Sequence, residues 1–139
     1  MSVAWTHFPH EGDVGVRGYG VSPSEAFANA ARAMTAALVP LVDIECDQAV
    51  EIVCAAPDLE VLLLDLLNAV IYEMATRGMI FGDFEVKIDG GRLSAIAFGE
   101  PVDVGRHAPS VELKGATFTA LRVTQEPGGR WLTQCVVDV

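Results

Sequence analysis

Basic residues are scarce in this chain. Of its 139 residues, nine are Lys or Arg and 19 are Asp or Glu, so the formal net charge is −10 at pH 7. Tight binding to a nucleic-acid backbone needs clustered Lys and Arg, and the charge balance argues against it. A strongly acidic protein is better suited to bind cations or to dock onto a basic partner.

Cysteines and long apolar runs are also scarce. Cys46, Cys54 and Cys135 are too far apart in sequence for a thiolate metal site, and we interpret them as small buried hydrophobes in a reducing cytosol. The most apolar stretch, residues 61–71, is interrupted by two polar residues and is too short to span a bilayer. Residues 1–7 contain no basic residue and do not make a signal peptide. We therefore predict a cytoplasmic protein that does not contact a membrane.

The length and the hydrophobic content of 51% indicate a single domain over residues 1–139. A capping box at Ser22 and Glu25 begins a helix predicted over 22–39, and Gly78 ends a second helix that begins at Asp58. Strands are predicted at 5–8, within 10–20, and at 46–55, 79–81, 84–88, 92–98, 111–124 and 130–139. This order predicts an α+β fold in which two helices pack on one face of a mixed, mostly antiparallel β-sheet, in one two-layer domain.

Two acidic residues stand at predicted strand ends. Asp13 lies where a glycine-rich turn meets a strand, so its carboxylate is aimed at the rim of the sheet. The last strand stays apolar through Val137 and then ends on Asp138, beside the free carboxylate of Val139. Two or three carboxylates together would favour a bound cation. The alternative is that Asp13 only caps a turn and that Asp138 is a solvated residue at a chain end.

The chain resembles the archease family over nearly its whole length. The opening motif and the closing motif are the specific parts, and two positions depart from the family pattern. Glu11-Gly12 replaces the usual Thr-Ala, and Phe118-Thr119 stands where the family often has Tyr-His. The matching residues are His10, Asp13-Val14-Gly15, Glu25-Ala26-Phe27, Asn29-Ala30-Ala31, Gly99-Glu100, Asp103, Arg106-His107, Leu113-Lys114 and Val136-Val137-Asp138-Val139.

The resemblance implies a function in RNA processing. Archeases are protein cofactors of the GTP-dependent RNA-splicing ligase of the RtcB type, used in tRNA splicing and RNA repair. They promote guanylylation of the ligase and its multiple turnover, and they catalyse nothing themselves. We therefore expect the partner to be an RNA-splicing ligase, with no catalytic residue in this chain.

The resemblance also implies a metal site formed by Asp13, Asp138 and Val139, with Val139 supplying only backbone oxygens. Such all-oxygen ligation suits Ca²⁺, or alternatively Mg²⁺ or Mn²⁺, and does not suit Zn²⁺. Three further residues are candidates for contact with the partner: Lys114, His10 and His107.

Two other functions stay open at this point. The first is a small metal-dependent hydrolase that would use Asp13 and Asp138 with His10 or His107. The second is a chaperone-like binding module whose sheet face holds a client. The sequence contains no phosphate-binding loop and no Ser or Cys nucleophile motif.

Overall fold

The computed structural model describes residues 3–139. Met1 and Ser2, which belong to the predicted domain and to the N-terminal stretch discussed above, lie outside the described residues. Within that range the chain forms three helices and eight strands. The helices are α1 (Pro23–Ala36), α2 (Leu59–Arg77) and α3 (Val104–His107), and a 3-10 turn covers Leu41–Asp43. The strands are β1 (Trp5–His10), β2 (Asp13–Gly20), β3 (Gln48–Ala55), β4 (Met79–Asp89), β5 (Arg92–Pro101), β6 (Gly115–Ala116), β7 (Arg122–Gln125) and β8 (Trp131–Asp138).

The predicted α+β class is confirmed, but the strands form two sheets instead of one. The larger sheet has the order β1-β2-β8-β6, with β7 also paired to β8, and the smaller has the order β3-β5-β4. Every recorded pairing is antiparallel. Helix α1 packs against β2 and β8 of the larger sheet and against β4 of the smaller one.

Side chains of α1 explain why β4 is an edge strand. Arg32 donates to the carbonyl oxygen of Phe84 over 2.9 Å, and the hydroxyl of Ser24 accepts from the amide of Ile88 over 3.2 Å. Two of the backbone groups of β4 that another strand could bind are thus already occupied by the helix. A sequence pattern cannot reveal the division of the strands into two sheets, because this division depends on contacts between residues that are 52 and 64 positions apart.

The helix ends follow the predicted capping chemistry, with one difference. Ser22 accepts from the amide of Glu25, whereas the Glu25 carboxylate accepts from Val21 and not from Ser22. Helix α1 ends at Ala36, three residues before the predicted end, and Gly78 closes α2 with a φ of 62°. Within residues 3–139, no helix is both long and apolar enough to cross a membrane.

The long strand predicted over residues 111–124 is wrong. Only β6 and β7 are strand in this region, and both pair with β8. Ala116 pairs with Val137 and Arg122 pairs with Gln134, so the chain has three more residues than its partner between these two pairs. The excess is taken up by a turn in which Ala120 has a φ of 55° and Phe118 is 72% exposed.

The cysteine interpretation is only partly correct. All three thiols are free; Cys135 is buried, Cys54 is partly buried and Cys46 is exposed. Burial raises the pKa of the Cys135 thiol to about 11. Cys46 lies in the connection before β3, where Val39 and Ile44 turn inward to pack in a small apolar cluster.

The core contact between α1 and the larger sheet is unusually close at Gly18. A Cβ atom on Gly18 would lie 2.2 Å from the amide nitrogen of Ala30 and 2.3 Å from the carbonyl oxygen of Ala26. The buried Thr133 hydroxyl on β8 lies 2.9 Å from the same Ala26 oxygen and 3.0 Å from that of Gly18. These contacts fix α1 against the two strands that carry the acidic ends.

We expect Gly18→Ala to destabilise the protein by about 2–3 kcal/mol, because the added methyl group meets helix backbone that cannot move aside. The melting temperature should fall by roughly 10 °C. Gly115→Ala in β6 is the matched control, since its Cβ would meet only the Asn68 side chain at an ordinary 3.5 Å. Equal melting temperatures for the two variants would contradict the close contact at Gly18.

Candidate functional site

The register of β2 and β8 places the two predicted acidic residues opposite each other. Val14 pairs with Val137, so Asp13, one residue earlier, faces Asp138, one residue later. Asp13 is partly buried, whereas Asp138 is exposed. The two carboxylates named from the sequence therefore come together at one end of the larger sheet.

Val139 completes this strand end. Its amide donates a hydrogen bond of 3.1 Å to Oδ1 of Asp13, across 126 positions of sequence. The bond holds the chain end against β2 and leaves Oδ2 of Asp13 without a recorded partner in the described part of the chain. Asp13, Asp138 and Val139 thus form one local group, which we call the acidic tip.

A tight hairpin turn aims Asp13 at this place. Glu11 and Gly12 form the two-residue turn between β1 and β2, with φ values of 48° and 88°. Positive φ at both positions is the signature of a type I′ turn, which matches the twist of paired strands. The turn pairs His10 with Asp13, so His10 is the neighbour of the acidic tip on the β1 side.

Lys114 borders the acidic tip on the opposite side. Its amide donates to the carbonyl oxygen of Asp138 over 2.8 Å, and the next residue, Gly115, pairs with Asp138 in the sheet. The Lys114 side chain is exposed. The strand ends therefore run in the order His10, Asp13, Asp138 and Gly115 across the sheet, with one basic residue beside the two carboxylates.

The donor set of the acidic tip consists of oxygen atoms. Among residues 3–139, no group of three His, Cys, Asp or Glu side chains is close enough to hold a metal ion by itself. Two carboxylates with main-chain oxygens are compatible with a hard cation that keeps several waters. The chemistry of the donors thus fits Ca²⁺, Mg²⁺ or Mn²⁺ and lacks the nitrogen or sulfur that Zn²⁺ prefers.

The structure places His107 elsewhere, in the interior. Its side chain is 0% exposed, and its Nε2 lies 3.0 Å from Oε2 of Glu100. Nδ1 accepts from the amide of Asp103 over 2.9 Å, so Nε2 carries the proton and donates to Glu100. His107 thus joins α3 to β5 and is not on a surface that a partner could contact. It is also separate from the acidic tip, which removes one of the two histidines from the hydrolase alternative.

The partner of His107, Glu100, is the charged residue of this interior group. Arg106 donates to its Oε1 over 2.5 Å, and the amide of Glu45 donates to Oε2 over 2.6 Å. The Arg106 guanidinium, this amide and His107 lower the pKa of Glu100 from its ordinary 4.5 to about 2, although burial opposes the shift. We did not predict this structural group; its only sequence signal is the motif residues shared with the family.

Comparison with known proteins identifies relatives over almost the whole chain. The sequence pattern of the Archease protein family matches residues 5–139. The chain is 37% identical to the protein archease of Pyrococcus abyssi and 37% identical to that of Pyrococcus furiosus. Each of these matches covers 97% of this chain and 98% of the relative.

Solved structures have the same fold. The solution structure of protein 1598 of Methanobacterium thermoautotrophicum matches with a TM-score of 0.84 at 25% identity, covering 98% of this chain and 99% of that one. The crystal structure of an archease, a possible chaperone, from Thermotoga maritima matches with a TM-score of 0.63 at 20% identity, covering 95% and 94% of the two chains. The second likeness supports the fold alone.

The lowered pKa of Glu100 predicts how stability depends on pH. Since the folded state holds this proton less tightly than the unfolded state, the Glu100 contribution is present above pH 4.5 and is lost as the pH falls toward 2. We expect Glu100→Gln to be less stable than the wild type at neutral pH, and this difference to shrink between pH 4.5 and 2. Urea denaturation of both proteins at several pH values measures this difference in the free energy of unfolding.

Glu126→Gln is the control for this experiment. Glu126 pairs with Arg130 on the surface, four positions away, so its removal should change stability little at any pH. Stability curves of the wild type and Glu100→Gln that stay parallel down to pH 2 would show that Glu100 does not bind its proton more weakly in the folded protein.

Proposed function

The chain belongs to the archease family, and on this basis we propose that it is a non-catalytic protein cofactor of the GTP-dependent RNA-splicing ligase. It would promote guanylylation of the ligase and repeated turnover in tRNA splicing or RNA repair. The single observation that carries this proposal is the acidic tip, where the family motif residues Asp13 and Asp138 face each other. The predicted cytoplasmic location is consistent with this function and stays a prediction.

A divalent cation with oxygen ligands is part of the proposal, with Ca²⁺ the first candidate. Asp13 and Asp138 would hold it with carboxylate oxygens, and Val139 would add a main-chain oxygen. The bound ion would supply positive charge able to interact with phosphate oxygens of a nucleotide in the partner. Oδ1 of Asp13 also accepts the Val139 amide, which keeps the ligands aligned.

The residues around the acidic tip are the proposed contact surface for the partner. Lys114 and His10 flank the two carboxylates, and we propose both as contacts to the ligase. The net charge of −10 favours a basic protein surface and disfavours tight direct binding of RNA. The role of this chain is thus to bring an ion and a charged tip to the ligase, while the ligase holds the RNA.

A chaperone-like binding function is the second candidate. One observation favours it: the archease of Thermotoga maritima, a protein of the same family, is described as a possible chaperone. Client binding that is indifferent to metal ions would support this function, whereas stimulation of a ligase that depends on the acidic tip would support the first.

We expect millimolar Ca²⁺ or Mg²⁺ to raise the melting temperature, because an ion that binds only the folded state stabilises it by mass action. The gain is about 2.7 kcal/mol when the free ion is at a hundred times its dissociation constant. Asp138→Asn should remove most of this gain, whereas Asp89→Asn, at the exposed turn between β4 and β5, should retain it. Melting curves that neither metal nor chelator changes would refute a site in the free protein.

We expect Asp13→Asn to reduce stimulation of the ligase by about tenfold or more, because it removes the negative charge of a metal ligand. The amide oxygen of Asn can still accept the Val139 hydrogen bond, so the fold should persist. Guanylylation of the purified ligase, measured with and without each variant, gives the readout. Full stimulation by a folded Asp13→Asn protein would show that the ligand assignment is wrong, and Asp89→Asn again serves as the control.

A further inference from the structure

The free edge of β3 is the most open backbone edge of the smaller sheet. Within residues 3–139, strand β3 pairs only with β5, in an unbroken register from Gln48–Gly99 to Ala55–Arg92. Its other neighbour is α2, which packs on the inner face of the sheet. The β3 edge, residues 48–55, therefore offers a row of backbone groups to the outside.

The hairpin between β4 and β5 shows which groups point outward. Asp89 and Arg92 flank a two-residue turn and therefore form a hydrogen-bonded pair, so Arg92 directs its backbone groups toward β4. The direction in which the backbone amide and carbonyl point alternates from one residue to the next along a strand. The odd-numbered residues of β5 therefore direct their backbone groups toward β3. The bond of 2.9 Å from the amide of Ala56 to the carbonyl of Gly91 agrees with this alternation.

It follows that the amides and carbonyls of Ala49, Glu51 and Val53 point away from β5. Among residues 3–139, no protein group is recorded in a hydrogen bond with these atoms. The three side chains are exposed on the outer face of the sheet, and Val53 is 69% exposed. Nothing in the described part of the fold covers this edge.

Natural proteins usually protect such edges, and other edges in this fold are protected. Pro9 in β1 removes one amide from the outer edge of the larger sheet, and α1 covers β4 through Arg32 and Ser24. Strand β3 contains no proline, no lysine and no bulge. Its one charged residue, Glu51, disfavours an acidic strand as a partner. It does not prevent a strand of another charge from pairing with β3.

The charge around the β3 edge defines the partner. Residues 33–76, which include β3, contain eight acidic residues and not a single Lys, Arg or His. Four of these carboxylates lie in β3 or within five residues of its ends along the chain, and all four are exposed: Asp47, Glu51, Asp58 and Glu60. None of the four forms an ion pair within residues 3–139.

We propose that the β3 edge binds an extended basic segment of a partner protein, which adds as a fourth strand to the smaller sheet. Backbone bonds to Ala49, Glu51 and Val53 would give the affinity, and alternate side chains the specificity. A basic side chain would lie opposite Glu51, and an apolar side chain two residues away would lie opposite Val53. This partner contact is separate from the acidic tip, which belongs to the other sheet.

A second copy of this chain does not fit the β3 edge. It would bring another acidic segment, 33–76, against the first, and the two would repel each other. Pairing β3 with itself about Glu51 would also place two like charges directly opposite, which destabilises strand pairing. The charge thus disfavours self-association while leaving the edge open to a basic strand.

The test uses a fluorescein-labelled octapeptide in which arginine and valine alternate on one face, with threonine between them. We expect it to bind the full chain, and Glu51→Lys to weaken binding by about fivefold to tenfold. Glu85→Lys is the matched control, because Glu85 lies in the same row of the sheet, across Ile96, on the strand that α1 covers. It should change binding less than about twofold, within the range of distant surface charges.

Backbone involvement is tested separately by amide exchange and by peptide chemistry. We expect the peptide to slow hydrogen exchange at the amides of Ala49, Glu51 and Val53, and its N-methylated form not to bind. Equal effects of Glu51→Lys and Glu85→Lys, or equal binding of the N-methylated peptide, would overturn the proposal. If Glu51→Lys fails to fold, Glu51→Gln provides the same comparison with Glu85→Gln. No metal or ligase is needed, so the outcome is independent of the function proposed above.

Discussion

The antiparallel pairing of β2 with β8 is the constraint on which the candidate site depends. It joins an early strand to the last one and so brings Val139 onto Asp13 across 126 positions. A slip of one residue would turn every side chain of β8 to the opposite face and would remove Cys135 and Val137 from the main hydrophobic core. The close contact of α1 at Gly18 and the buried Thr133 hydroxyl hold the register. The position of the carboxylates is therefore set by the core and not by the loops around them.

Sequence reasoning succeeded where the signal was local. The caps of both long helices and the glycine-rich turn before Asp13 each depend on a few neighbouring residues. Asp13 and Asp138 could be named because each stands at a strand end, and the family resemblance supplied the pairing of the two. The structure brings these two residues together as the resemblance implied.

The failures share one physical cause, which is contact between distant segments. The division into two sheets depends on Arg32 reaching β4 from α1. The turn that interrupts residues 111–124 depends on two short strands sharing β8 as their partner. The sequence makes His107 a candidate for contact with the partner, but its environment is decided by Glu100 on β5. No periodicity or spacing along the chain carries this information.

The positions of the basic residues bear on both proposed binding surfaces, the acidic tip and the β3 edge. Five of the nine Lys and Arg residues are engaged in internal contacts, either as ion pairs or stacked on an aromatic ring: Arg17, Arg32, Arg77, Arg106 and Arg130. These contacts serve the fold. Of the other four basic residues, Lys114 borders the acidic tip and Arg92 pairs with Ala55 at the end of β3. At the acidic tip, two carboxylates lie directly opposite each other and favour binding of a positively charged group. At the β3 edge, unpaired backbone amides and carbonyls lie among acidic residues, and this edge also favours a positively charged partner. At the acidic tip a small ion can supply that charge, because the oxygens converge on a point. Along the β3 edge the groups form a line, and only an extended chain matches it.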